Sequence, residues 1–124
     1  LEKLIEIARE RFGKHVLEYD EIGARLAQLR AETQAVRAMT YTTASRVARG
    51  MLGSEASITR AFVSQLQQRI RRIAVDVIGP DSIELPDVDP WIRPYLRSYS
   101  NTIAAGTSEI QRNIIGERVL GLPR

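Results

Sequence analysis

Among its 124 residues the chain has no cysteine and one histidine. Disulfide staples and thiolate chemistry are thereby excluded, and no His/Cys donor set exists for a metal centre, so no metal site is expected. Aromatic residues are scarce, with one Trp, four Tyr and two Phe. A core must therefore be built from Ile, Leu, Val and Ala. No apolar run approaches the roughly 20 residues of a membrane span, and no secretory signal is visible. The expectation is a cytoplasmic chain with no membrane partner. Excess charge of one sign is lacking too: 18 Lys and Arg stand against 15 Asp and Glu, a net +3. Only Arg69, Arg71 and Arg72 cluster, and they read as a solvated helix face. A nucleic-acid surface would need a longer basic stripe with stacking aromatics, so no nucleic-acid partner is expected.

What the chain does have is helical periodicity. Leu1, Leu4, Ile5, Ala8 and Phe12 recur at the 3.6-residue spacing, and Gly13 ends the pattern. The chain opens inside this pattern with no initiator Met, which reads as the truncated end of a longer helix. From 20 to about 49 runs the longest pattern. Asp20 stands at the N-cap position, and Ile22, Leu26, Leu29, Val36 and Val47 lie on one line. Thr33, Thr40 and Thr43 fill its gaps, and Glu21 and Arg25 are spaced for an i, i+4 ion pair. Gly50 and Gly53 mark a turn, and Ser54 is placed to cap the next helix. That helix, about 55 to 78, carries the cleanest stripe: Ile58, Phe62, Leu66, Ile70, Ile73 and Val77. Arg60, Gln67 and Arg71 take its opposite side, and Gly79-Pro80 terminates it.

Residues 81 to 90 change character. Asp81, Glu84, Asp87 and Asp89 are acidic without basic partners, and Pro86 and Pro90 bracket a surface loop. Asp89-Pro90 can start a short helix that puts Trp91, Tyr95 and Tyr99 on one side, with Pro94 tolerated in its first turn. The expected fold is all-α, one domain over 1–124. It is an antiparallel four-helix-bundle-like unit with a truncated first helix, two long helices and one terminal helix. The truncation leaves an apolar groove, so self-association is expected.

The terminal stretch organises the rest. Gly106 frees the backbone, Thr107 or Ser108 can cap a helix, and Glu109 falls in its first turn, where a carboxylate suits the positive end of the dipole. Ile110, Ile114, Ile115, Val119 and Leu122 give an apolar face, and Gly121 with Pro123 stops it. Two readings follow from the residues. One is a well-capped terminal helix; the other is a Gly-Thr-Ser loop offering backbone N–H groups to an anionic or carbonyl-bearing ligand.

The order Gly106-Thr107-Ser108-Glu109-Ile110-Gln111-Arg112, followed by Ile114-Ile115-Gly116-Glu117-Arg118, resembles the C-terminal signature of the acyl-CoA dehydrogenase family of flavoproteins. Arg9-Glu10-Arg11-Phe12-Gly13 is similar to that family's Arg-x-x-Phe-Gly. Asp76-Val77-Ile78-Gly79-Pro80 falls where the family has Gln-x-x-Gly-Gly. The resemblance covers the whole chain but about a third of such an enzyme. It implies the C-terminal α-helical domain, which helps to bind FAD and builds the oligomer. By resemblance, Arg9, Gly79, Thr107, Ser108 and Glu109 would be cofactor-binding, with Arg9 and Gly79 reaching the flavin of a partner subunit. Gly106 would lie near the acyl-CoA thioester.

Departures from the family pattern matter as much. In many members a Glu directly precedes the Gly at 106 and takes the α-proton while hydride leaves the β-carbon for the flavin. Ala105 occupies that position and cannot accept a proton. No catalytic residue is therefore assigned within this chain, which is expected to be inactive alone. Asp20 stands where a flavin-contacting Gln is usual, and Pro80 replaces the second Gly of the loop. The ending Leu120-Gly121-Leu122-Pro123-Arg124 resembles a bacterial catabolic subgroup acting on bulky or unusual CoA esters. Two functions follow. The first is the FAD-binding and oligomerisation domain of an enzyme that makes an α,β-unsaturated acyl-CoA, working as a homo- or hetero-oligomer. The second is a non-catalytic helical assembly module that kept the fold and lost the chemistry.

Overall fold

The longest apolar stripe becomes the axis of the molecule. A computed structural model describes residues 1–15, 20–51, 53–80, 91–104 and 106–123, with residue 55 by its backbone. The elements are α1 (Glu2–Phe12), α2 (Glu21–Ala48), α3 (Glu55–Ile78), α4 (Ile92–Ser98) and α5 (Ser108–Ile114). A 3₁₀ turn, Tyr99–Thr102, extends α4, and a π turn, Ile115–Val119, extends α5. No strand occurs among the described residues. The all-α reading holds, with two long helices as predicted. The acidic loop at 81–90, the Asp89-Pro90 helix start and Ala105 lie outside the described residues.

α2 and α3 form an antiparallel hairpin, and α3 also touches α1, α4 and α5. The core lies at one end of that hairpin. Leu4 and Ala8 of α1 meet Leu26 and Leu29 of α2 and Leu66, Ile73, Ala74 and Val77 of α3. Leu4, Leu26, Ile73 and Val77 are fully enclosed, each contributing about 1.5–3 kcal/mol by leaving water. Ile22, Val36, Ile70 and Trp91 pack around them. The other end is thin. Tyr41, Val47 and Met51 are exposed there. An apolar hollow of about 390 Å³ opens between the two helices, lined by Thr40, Thr43, Ala44, Ala56, Thr59 and Val63.

Interhelical ion pairs set the register of the hairpin. Arg69 forks onto Glu32, with Nη1 donating to Oε1 at 3.0 Å and Nη2 to Oε2. Arg25 donates to Asp76 at 2.9 Å, and Arg30 ties α2 to Glu2 of α1 at 3.0 Å. The Glu21–Arg25 pair expected from spacing is thus corrected: Arg25 reaches across to α3. Arg69 is likewise no idle solvated charge, since its partner sits on the facing helix.

Two caps differ from expectation. Asp20 and Ser54 occupy N-cap positions, but neither side chain accepts from its helix. Ser54 is itself in helical backbone geometry, and its hydroxyl donates instead to the Arg118 carbonyl at 3.4 Å. On the Thr stripe of α2, Thr33 and Thr40 donate to the carbonyls of Leu29 and Val36 one turn back. That bonding satisfies each hydroxyl within its own helix.

The face of α3 opposite its core is not bare. Gln67 accepts from Asn101 Nδ2 at 2.8 Å, Arg60 donates to the Asn101 carbonyl at 3.2 Å, and Gln68 donates to Thr102 Oγ1 at 3.2 Å. The predicted solvent side is instead a polar seam that holds α4 and its 3₁₀ extension. On α4, Tyr95 and Tyr99 sit edge to face with centroids 5.5 Å apart and hydroxyls at 3.0 Å. Trp91 turns to the core, so the predicted aromatic side divides.

Candidate functional site

The motif residues gather in two places, one towards each end of α3. At its C-terminal end, Gly79 adopts φ +69° and closes the helix by donating to the Val75 carbonyl at 2.7 Å. A Cβ at this glycine would stand 3.7 Å from Arg11 Nη2. Residues of Arg9-Glu10-Arg11-Phe12-Gly13 and the Gly79 turn therefore share one end of the bundle, although 66 residues separate Gly13 from Gly79. Arg9 lies exposed on the last turn of α1, and its carbonyl accepts from Gly13, itself at φ +83°. Phe12 is also exposed. Asp76, one turn before Gly79, has its charge offset by Arg25. Sequence reading missed both Arg11 and this offset. Only the i+2 arginine in the first motif and the α2–α3 register could have pointed to them.

The second place is the loop ahead of α5. It is carried by the seam from Asn101 to Arg60 and Gln67, in the early and middle turns of α3. Residues 67 and 79 are about 18 Å apart along the helix at 1.5 Å per residue. Gly106 has φ +93°, and a Cβ there would press on Gln111 Nε2 at 3.2 Å and Ile110 Cγ2 at 3.3 Å. Its amide donates to the Ile103 carbonyl at 3.1 Å. Thr107 is the cap: its Oγ1 accepts from the Ile110 amide at 3.4 Å, with extended backbone at φ −61°, ψ 165°. Glu109 has its carboxyl held below the usual range, first by its own backbone N–H, then by the Thr107 hydroxyl and the Arg112 guanidinium. Arg112 stands 3.7 Å from it.

The capping reading of this loop holds at Thr107. The amides of Gly106, Glu109 and Ile110 are engaged by the chain itself. Among the described residues, nothing accepts from the N–H of Thr107 or Ser108. Gln111, at 8 % exposure the one buried polar residue of α5, was not singled out from sequence. Its signal was its place four residues after Thr107, which sets it under the loop. The terminal apolar face is weaker than predicted: Ile110 and Leu122 are about half exposed, and the helix widens to a π turn at 115.

The family model described as the acyl-CoA dehydrogenase C-terminal domain matches residues 1–120. The chain belongs to this family. Among its relatives, acyl-CoA dehydrogenase IpdE1 of Mycobacterium tuberculosis is 34 % identical over 126 residues, covering 100 % of this chain and 32 % of that protein. IpdE1 of Mycolicibacterium smegmatis is 37 % identical over 105 residues, 83 % of this chain and 26 % of its own length. An acyl-CoA dehydrogenase of Bacillus subtilis is 31 % identical over 125 residues, 98 % of this chain and 32 % of that protein. The chain thus spans about a third of the length of the relatives it matches. No solved structure matches it. No described helix is long and apolar enough to cross a membrane.

Proposed function

We propose that this acyl-CoA dehydrogenase domain contacts FAD and builds the oligomer of an enzyme that desaturates an acyl-CoA thioester. The observation that carries the reading is the meeting of the Arg-x-x-Phe-Gly motif with the Gly79 turn. The Arg11 guanidinium lies beside the Gly79 turn, its Nη2 3.7 Å from where a Cβ would stand, and guanidinium forks suit phosphate oxygens. The residues fit a flavin pyrophosphate: Arg9 is exposed on the same helix end, and Asp76 brings no uncompensated charge. Bound FAD would supply the hydride acceptor. Thr107 and Ser108 would offer amides to it, Glu109 would hold the loop in shape, and Gly106 would let the thioester approach. The proton acceptor must come from outside the described residues, and Ala105 has no group to serve.

The exposed apolar residues and the hollow between α2 and α3 support assembly with like subunits, as a homo- or hetero-oligomer. A cytoplasmic setting, with neither nucleic acid nor membrane as partner, completes the reading. The test is expression of the chain together with the upstream sequence of its parent gene. The purified protein should carry flavin absorbance, and Arg9→Ala should lower flavin occupancy at least tenfold at equal folding. An oligomer that forms normally but never retains FAD would favour the alternative, an assembly module that has lost the chemistry. A clean monomer by light scattering at micromolar concentration would refute the assembly part.

A further inference from the structure

Gln111 is the residue of α5 that is closed off from water, and it meets the glycine loop twice. Its backbone amide donates to the Thr107 carbonyl at 2.9 Å. Its side chain lies under Gly106, where Nε2 stands 3.2 Å from the place a Cβ would take. Helical side chains lean towards the turn before their own Cα, which carries residue 111 back beneath the loop. Ile110 is almost as near, with Cγ2 3.3 Å from the same place, but Ile110 is half exposed and can turn into solvent. Gln111 has no such freedom. α5 packs on α3, and an enclosed side chain moves only by displacing its neighbours. A buried amide also carries hydrogen bonds that a move would break.

We propose that Gln111 is a positioning residue for the desaturation: it props Gly106 from beneath and so sets where the loop backbone stands against thioester and flavin. The role in the reaction rests on the function proposed for the loop; the contact between the two residues does not. Gln111 acts through Gly106 and needs no contact with either ligand. Two things oppose a side chain at 106, the φ of +93° and the Gln111 wedge. Shortening residue 111 relieves the second and leaves the first, which only glycine adopts without strain. Reacting groups must meet in a near-attack geometry, and a displacement of about 1 Å from a residue outside the chemistry can cost about a hundredfold in rate.

The chain expressed with the upstream sequence of its parent gene tests this in two ways. The first is a double-mutant cycle read by hydrogen exchange of the 106–111 segment. Gly106→Ala should speed exchange about tenfold in the wild type, and by a factor about threefold smaller in a Gln111→Ala background, where room has been made under the loop. The second is FAD release from the loaded enzyme. Gln111→Ala should speed release about tenfold at unchanged circular dichroism, and Gln111→Met, close to glutamine in length and volume, should restore most of the wild-type rate. Ile114→Ala, at a half-buried position of the same helix, should lower stability and leave FAD release unchanged. A full-length protein that never holds FAD would defeat the flavin reading, and the cycle would still decide the prop. The proposal is overturned by additive effects in the cycle, by Gln111→Met behaving as Gln111→Ala does, or by Ile114→Ala releasing FAD equally fast.

Discussion

The two ends of the α2–α3 hairpin are built from similar residues and behave differently. At the closed end, Leu26 and Leu29 face Ile73 and Val77, and α1 lays Leu4 and Ala8 over both. At the open end, Val47 continues the α2 line and Ile58 and Phe62 continue that of α3, yet Val47 is 49 % exposed. The difference is a third helix. Two helices side by side bury only the strip between them, and a third turns the strip into an enclosed volume. The open end instead receives the C-terminal segment, tied on by polar contacts such as Ser54 to the Arg118 carbonyl. Stability is therefore concentrated at the closed end, while the Gly106 loop sits over the less enclosed half, where segments open at lower cost.

The contrast can be broken most forcefully at Ile73. Ile73→Ala should cost about 2–5 kcal/mol, whereas Val47→Ala should stay within about 0.5 kcal/mol. Urea unfolding of both variants measures the gap, and similar midpoints would show that the ends are equally packed. A smaller effect is expected from Gly106→Ala, on the order of 1–3 kcal/mol of local strain. Its φ of +93° and its closeness to Gln111 and Ile110 both oppose a side chain. Hydrogen exchange should show faster opening of the loop and α5 with the closed end unaffected. Loss of protection in α1 as well would couple the two ends.

The smallest effect concerns the clamp between the halves. Glu32 has its carboxyl held below the ordinary 4.5, chiefly by the Arg69 hydrogen bond, then by Gln28. A carboxyl lowered on folding stabilises above its unfolded value and loses that contribution as pH falls through the folded one. Glu32→Gln should thus cost less than about 1 kcal/mol near neutrality, since Arg69 is half exposed and such pairs are screened. The difference from wild type should shrink below about pH 4. A gap that persisted in acid would mean that shape, not charge, is what Glu32 provides.

Much of this could be read in advance, and the residues explain why. The bounds of the third helix are legible because Leu66, Ile73 and Val77 hold the helical period and Gly79-Pro80 cannot continue it. A cap at Thr107 or Ser108 is legible in the local residue order, and the structure assigns it to Thr107. What escaped was whatever depends on two elements meeting. Arg25 prefers Asp76 to Glu21 only once α2 and α3 are in register, and Arg60 and Gln67 serve α4 only once α4 lies against them. Arg11 at Gly79 belongs to this class, as does Gln111 beneath Gly106. Periodicity shows which face of a helix turns inward, but polar residues on the other face name their partners only in three dimensions.

The seam along α3 has one more effect. Greasy surfaces let a short helix slide or roll at little cost, because dispersion has no preferred direction. Amides and hydroxyls do not. With Gln67 keyed to Asn101, Gln68 to Thr102 and Arg60 to a main-chain oxygen, a seven-residue helix is fixed at a single notch along its neighbour. The glycine loop that follows therefore inherits its position from three keys cut into a surface with no enclosed core of its own.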